Sequence, residues 1–275
     1  MTLSTIRNNP AKQKKVKTKK QKAIAATCAV AFWLLVWHVV SLCVGSELVL
    51  VSPVKVVQTL FTVIFDPDFL KTVWYSAARI LGGFFTALTL GTVLGWVASR
   101  FWVVETLLRP ITAVIKATPV ASFIILVLLW FSGKNLSVII SMLMVFPVIY
   151  MNVLEGIRSA DEKLLEMAQA FRLSVGKKLL YIYLPAVAPF FVSACSVSLG
   201  LCWKSGIAAE VIGTPDGSIG AVFYQAKIFL QTSELLAWTV VVVAVSVAFE
   251  KLFMFLLRLV LKKLKMEDVL NGKRA

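Results

Sequence analysis

The sequence predicts an all-α membrane protein that crosses the bilayer six times. Three observations carry this prediction: 59% of the residues are hydrophobic, the mean hydropathy is +0.85, and several apolar runs are uninterrupted. About 20 helical residues cross the hydrocarbon core of a bilayer, and an ordinary soluble domain does not contain runs of that length. A membrane β-barrel is not indicated, because the short alternating segments of a barrel are missing.

Six apolar runs are predicted to be the spans, and the charges between them give the orientation. The spans are 23–44, 73–98, 111–131, 136–154, 186–201 and 235–257. The two termini and the connections on their side hold 22 Lys and Arg residues, whereas the opposite connections hold five. The positive-inside rule therefore predicts cytoplasmic termini, with residues 1–22 and 258–275 as basic cytoplasmic tails.

The net charge of +15 does not indicate a nucleic-acid partner. The basic residues flank the apolar runs, and this arrangement favours contact with anionic membrane lipid over a phosphate backbone. The chain also lacks the phosphate-cradling GxxxxGK[ST] motif, so we predict neither ATP hydrolysis nor another enzyme activity. Its four cysteines form no CxxC pair, and no metal or other cofactor is expected.

Two features are predicted before the third span. Residues 45–72 are expected to form an outer loop with an interfacial helix, because Ser52 is a suitable cap and Pro53 a suitable first helical residue. The second span contains Gly82, Gly83 and a Gly91-x-x-x-Gly95 pair. Small residues at this spacing favour close helix packing, either within the chain or at a subunit interface.

The third and fifth spans are interrupted, which is typical of helices that line a water-filled path. The third contains Lys116 and Pro119, and the fifth begins at Pro185. Polar residues at membrane depth are candidates for such a path: Lys116, Trp203, Lys204 and Glu210. The structural alternative is that Lys204 and Glu210 pair across the turn after the fifth span, and that Lys116 extends to the inner surface.

Residues 155–184 form a predicted cytoplasmic loop with two short helices. Ser159 and Glu162 have the spacing of a capping box, so the first helix is expected to begin at Ala160 and to reach Phe171. Its predicted apolar stripe consists of Leu164, Ala168 and Phe171, and that of the second helix of Val175, Leu179 and Ile182. Gly176 is placed at the joint and Pro185 at the end. The pattern alone allows either docking on a partner or rest on the membrane surface.

The segment LLEMAQAF, together with the closing LP, resembles the signature loop of bacterial binding-protein-dependent ABC importer permeases. Glu166, Ala168, Leu184 and Pro185 fall on that pattern. Arg172 stands where the family has glycine, and Gly176 is expected to form the bend instead. The stretches SPVKVV, ATPVASFIILVLLWFSG, FPVIYMNVLEGIRSAD and WKSGIAAEVIG are similar to the nitrate, taurine and alkanesulfonate branch, so the resemblance covers roughly residues 50–255.

The resemblance implies a type I transmembrane core over residues 73–257, in a bacterial inner membrane, with a coupling helix in the loop 155–184. It implies an ABC ATPase subunit, a substrate-binding protein and a second permease chain as partners. It places contacts with the ATPase at Glu166, Ala168, Ala170, Phe171, Arg172 and Gly176. The cargo would be a sulfonate- or nitrate-like anion or a vitamin precursor. The alternative is an ion-coupled secondary transporter, but that class favours inverted repeats and carboxylates within spans, and Glu250 is the only acid embedded in an apolar run.

Overall fold

The computed structural model describes residues 19–264, except for the side chains of residues 19–23 and 26. In this range the chain forms eleven α-helices and one π-helical turn, without a strand. The contacts divide it into two units with a boundary between Lys55 and Val56, and each unit is described by itself. The predicted tails lie wholly or partly outside the described residues. The all-α prediction is confirmed.

The first unit contains α1 (Lys19–Val44). Its stretch Thr27–Val44 is long and apolar enough to cross a membrane, as the sequence predicts. Large apolar side chains such as Phe32 and Trp33 are about two-thirds exposed, at 60% and 68%. Exposure of this kind is expected of a helix that contacts lipid, because hydrocarbon and not water surrounds it.

Helix α2 (Pro53–Ile64) lies within the region 45–72 and is too short to span a membrane. Its predicted start is confirmed, since the Ser52 hydroxyl accepts a hydrogen bond from the Lys55 amide at 3.3 Å. Val56 and Val63 are buried, whereas Phe61 is exposed. The helix is therefore amphipathic, which suits an interfacial position.

Three long helices form the centre of the second unit: α3 (Phe69–Arg100), α6 (Gly133–Arg158) and α9 (Leu184–Gly213). Helices α10 (Ile219–Ile228) and α11 (Thr232–Lys263) pack on this bundle. The largest fully buried side chains come from all three central helices: Ile80, Phe84, Ile140, Ile149, Leu199 and Trp203. The spans thus bury an apolar core against one another while their outer faces stay apolar.

Three of the four glycines of α3 (Gly83, Gly91 and Gly95) lie against α6, which supports the interpretation that they serve packing within the chain, whereas Gly82 has no atom within 4 Å of a Cβ position. A Cβ atom at Gly91 would lie 2.9 Å from the Cβ of Ile149, and one at Gly95 would lie 3.0 Å from that of Val153. Gly83 is packed even more tightly, against the α6 backbone. Small residues at a spacing of four allow this approach.

The third span is interrupted at Pro119, as the sequence predicts, although its first helix begins at Trp102 and not at residue 111. Helix α4 (Trp102–Ala117) and helix α5 (Val120–Leu128) meet at an angle of 106°. Thr118 and Pro119 between them are extended, with ψ values of 133° and 137°. The cause is Pro119, because the residue before a proline is pushed out of the helical region. Within residues 19–264, five helices are long and apolar enough to cross a membrane, and up to six spans result if this pair counts as one.

The fifth span is longer than predicted, and Pro185 does not end a helix. Helix α8 (Val175–Lys178) passes through a π-helical turn, Leu179–Tyr183, directly into α9. The Leu184 amide donates to the carbonyl of Leu179, five residues earlier. A π-turn accommodates the missing amide of Pro185, which lies at the second position of α9. The expected turn at residue 201 is wrong as well, since α9 continues to Gly213.

Candidate functional site

The first helix of the predicted coupling loop (residues 155–184) begins later than its capping-box pattern predicts. Helix α7 covers Glu162–Ala170, and Asp161 is its N-cap, accepting a hydrogen bond from the Lys163 amide at 2.9 Å. Ser159 instead lies at the end of α6 and donates to the Gly156 carbonyl at 2.9 Å. The predicted capping box is therefore wrong, because α6 continues through Arg158 and leaves Ser159 inside its last turn.

The end of α7 has the geometry of a Schellman motif. The Leu173 amide donates to the Ala168 carbonyl at 2.9 Å, and the Arg172 amide donates to the Gln169 carbonyl at 3.0 Å. Arg172 has a φ of +50°, in the left-handed region that favours glycine. Arg172 thus keeps the bend at the family's glycine position. The expectation that Gly176 takes over the bend is wrong, since Gly176 lies within α8.

The predicted stripe of α7 separates into a buried and an exposed side. Ala168 is fully buried and packs with Ala160 and Ile182. An exposed apolar face (Leu164, Met167 and Phe171) remains, and Phe171 is 75% exposed. Met167 was missed as part of this face, although its spacing of i+3 from Leu164 was a readable signal.

The other residues predicted to contact an ATPase are placed as follows. Glu166, Ala170, Arg172 and Gly176 are all exposed. Only Ala168 is sealed inside the loop, so its contribution is to fix α7 on the segments that flank it. Together with exposed Phe171, these four residues lie on α7, on the bend after it and on α8, and thus within one short stretch of the chain.

Arg172→Gly is expected to stabilise the coupling loop by about 1 kcal/mol, because a non-glycine residue in the left-handed region costs about 1–2 kcal/mol. Hydrogen exchange of the Leu173 amide, whose bond to Ala168 closes the motif, should slow by several-fold. Arg172→Ala is the matched control, since it removes the charge and keeps the unfavourable backbone. Equal protection in both variants would mean that the charge, and not φ, is responsible.

A buried polar cluster (Ser76, Arg79, Ser137, Glu210 and Ile219) lies at the opposite end of the bundle. Glu210 on α9 is fully buried. Its Oε2 accepts hydrogen bonds from the Ser76 hydroxyl at 2.6 Å and from the Gly220 amide at 3.4 Å. The Ser76 hydroxyl in turn accepts the Ile219 amide at 2.9 Å. The first two amides of α10 are therefore held by α3 and α9.

Arg79 extends this cluster to α6. Its Nε donates to the Ser137 hydroxyl at 3.4 Å, and its Nη1 donates to the Tyr75 hydroxyl at 2.9 Å. Glu210 lies on α9 and accepts hydrogen bonds from Ser76 of α3 and from the Gly220 amide of α10. Arg79, also on α3, donates to Ser137 of α6, so the cluster joins four helices. The predicted pairing of Glu210 with Lys204 across a turn is wrong, because both residues lie in the continuous helix α9 and Lys204 is exposed.

The four residues predicted for a translocation path divide into two groups. Trp203 is 2% exposed and Glu210 is fully buried, so neither faces the surface of this chain. Lys116 and Lys204 are exposed; the Lys116 amine lies 3.5 Å from the sulfur of Met151. On α9, Ser193, Val197 and Lys204 are exposed along one side, at the spacing of a helix face. This α9 stripe (Ser193, Val197 and Lys204) carries a cation nine residues before Gly213, the last residue of the helix.

Comparisons with known proteins place this arrangement in a family. Residues 87–266 match the family described as "Binding-protein-dependent transport system inner membrane component". A putative aliphatic sulfonates transport permease protein of Bacillus subtilis is 29% identical over 216 residues, covering 78% of each chain. The taurine transport system permease protein of Escherichia coli is 27% identical over 220 residues, covering 78% of this chain and 80% of that one.

The fold is also similar to that of a solved structure, an amino acid ABC transporter with histidines, at a TM-score of 0.50 and 16% identity. The similarity covers 70% of this chain and 96% of the other. At this identity it supports the fold alone. The family match covers residues 87–266, which include the broken span, the coupling loop and Glu210. The chain therefore belongs to the binding-protein-dependent transport system inner membrane components and is a permease subunit of an ABC importer.

Proposed function

We propose that this permease is powered by a separate ATPase that docks on the coupling loop, and that two copies of the permease enclose the path. The observation that carries the proposal is the exposed apolar face of Leu164, Met167 and Phe171 on a helix fixed by buried Ala168. Three exposed apolar residues on one helix face suit a hydrophobic groove of a partner. Both termini are then cytoplasmic, on the same side as the loop, and membrane lipid surrounds the spans.

A substrate-binding protein would deliver the cargo at the opposite, outer face. The description of the matching family as binding-protein-dependent supports this partner. In this scheme the chain itself is not an enzyme, because ATP is hydrolysed by the docked subunit. Closure of the ATPase would move the coupling loops and turn the path from one side of the membrane to the other.

Phe171→Asp is expected to release the ATPase. A buried aromatic anchor at an interface contributes about 2 kcal/mol or more, so the affinity should fall about 30-fold or more. The measurement is the amount of ATPase that co-purifies with the tagged permease from membranes. Glu166→Arg, which reverses a charge on the same helix, is expected to act in the same direction.

Phe65→Asp is the matched control for Phe171→Asp. Phe65 is 81% exposed and lies between α2 and α3, on the outer side in the proposed orientation. This variant should retain the ATPase fully. Equal retention by both variants would exclude docking on the coupling loop, and uptake by the permease in liposomes without any ATPase would exclude the proposed power source.

For the cargo we propose a small sulfonate or related oxyanion. The two relatives reported above are described as permeases for aliphatic sulfonates and for taurine, and taurine is itself a sulfonate. The exposed cation Lys204 on the α9 stripe supplies the charge that such an anion requires. A cation at this depth is costly unless it faces a watery cavity or a partner, which supports its place on the path.

Lys204→Gln is expected to lower taurine uptake at least tenfold in vesicles that contain the permease, its ATPase and its binding protein. The loss of one attraction of about 1.4 kcal/mol would account for that factor. Lys227→Gln is the control, since Lys227 is an exposed lysine on α10. If both variants transport taurine like the unmodified chain, Lys204 does not contact the cargo; if the binding protein takes up no sulfonate, the proposed cargo class is wrong.

A further inference from the structure

An ion pair joins the base of the coupling loop to the first turn of α4. Arg158 is the last residue of α6, and its Nη2 donates to Oε2 of Glu105. Asp161, the N-cap of α7, lies only three residues beyond Arg158, and Glu105 is in the first turn of α4. The pair thus connects the segment that carries α7 to the first helix of the broken span.

Helix α4 is attached to the bundle along one side only. Val104 and Leu108 pack against buried Tyr150 and Leu154 of α6. On its other side, large apolar residues remain more than half exposed: Leu107, Ile111 and Val114. With 16 residues and Pro110 in its interior, α4 is about 24 Å long and ends at the break before α5. It is thus the element that connects Glu105 to that break.

We infer that the Glu105–Arg158 pair passes the movement of the coupling loop to the broken span, α4 and α5. This inference rests on the proposed docking of the ATPase on that loop. Both residues are positioning residues, since neither touches the cargo in this scheme. A partly exposed ion pair contributes little to stability, and the side chains of Arg158 and Glu105 are 50% and 26% exposed. Its removal should leave the fold intact while the movement is lost.

The test measures a distance across the broken span. Spin labels at Thr89→Cys on α3 and Leu129→Cys at the end of α5 use two exposed positions. Exposed Cys28 and Cys43 are replaced, whereas buried Cys195 and Cys202 are kept because a label does not reach them. The complex of permease and ATPase is measured without nucleotide and with ATP and vanadate, so no cargo is needed.

The inference expects four results. The labelled chain with the intact pair changes its distance between the two nucleotide states. Glu105→Arg and Arg158→Glu each reduce the change to less than half while the ATPase still co-purifies. The double variant, which restores the pair with its charges exchanged, recovers most of the change. Arg158→Lys, which keeps the charge, also retains it.

Three results would overturn the inference: a full change in either single variant, no recovery in the double variant, or no change in the chain with the intact pair although the ATPase is bound. A purely structural role is distinguished by the melting temperature, which should be the same in the single and double variants. If the ATPase does not co-purify even with the intact chain, the proposed function fails first and the inference falls with it.

Discussion

Glu210→Ala is expected to lower the free energy of unfolding by about 3 kcal/mol or more, the largest effect of any single truncation considered for this chain. The substitution removes the acceptor of the Ser76 hydroxyl and of the Gly220 amide. Both donors stay buried, and water does not replace the carboxyl inside the bundle. For a chain of this size the melting temperature in detergent should fall by about 6 °C or more.

Glu210→Ala should also loosen the position of α10, because Glu210 bonds to the Gly220 amide at the start of that helix. Without it, the Gly220 amide loses its acceptor on α9, and the Ser76 hydroxyl that accepts the Ile219 amide loses its own acceptor, so the start of α10 is held less firmly. Ser76→Ala should weaken the same connection by about 1–3 kcal/mol, since it leaves the Ile219 amide unpaired and leaves Oε2 of Glu210 with the Gly220 amide as its remaining donor. Hydrogen exchange of the Ile219 amide, which Ser76 accepts at 2.9 Å, reports on both variants.

Asp216→Ala is the matched control for Glu210→Ala. Asp216 is an exposed acid in the connection between α9 and α10, and its loss should change the stability by less than about 0.5 kcal/mol. If Glu210→Ala and Asp216→Ala have the same melting temperature, Glu210 is not the connection that holds α10.

Most of the fold could be predicted because a membrane span is recognisable from the composition of its own segment, an apolar run of about 20 residues. The apolar run 23–44 ends at the same residue as α1, Val44. Pro119 likewise marks the position at which the third span breaks. These signals act over a few residues, through the bilayer thickness and through the steric effect of proline. Such effects are readable from one chain segment alone.

The wrong predictions lie where a local sequence signal, such as a capping box or a proline, adjoins a long membrane-spanning helix. Ser159 and Glu162 match a capping box, but α6 extends to Arg158 and takes Ser159 into its own last turn. Pro185 is a helix breaker by local rules, yet a π-turn absorbs it within one continuous helix. In both places the packing of a long span decides the local geometry, which propensity alone does not reveal.

The polar cluster could be predicted only in part, for a different reason. Glu210 stood out as a polar residue at membrane depth, but its partner Ser76 lies 134 positions away in the sequence. Serines are frequent in this chain, and no pattern marks Ser76 among them. A contact of this kind depends on which helix faces meet, and it is visible only when α3 and α9 are seen together.

Gly83→Ala and Gly82→Ala are expected to change the stability in opposite directions, although the residues are adjacent on α3. A Cβ atom at Gly83 would overlap the backbone oxygen of Val138 and lie 2.8 Å from the Cβ of Ser141, whereas one at Gly82 has no atom within 4 Å. Backbone atoms of α6 do not rotate aside, so Gly83→Ala should destabilise by about 1–3 kcal/mol. Gly82→Ala should stabilise by about 0.5–1 kcal/mol, because alanine restricts the unfolded chain and favours the helix.

The two melting temperatures in detergent, measured side by side, separate packing from helix propensity. Propensity alone would stabilise both variants, since each exchanges a helical glycine for alanine. Opposite shifts therefore require that α3 and α6 touch at Gly83 and not at Gly82. Equal stabilisation of both would mean that the two helices are not in backbone contact at this level, and the interpretation of the glycines as packing residues would fail there.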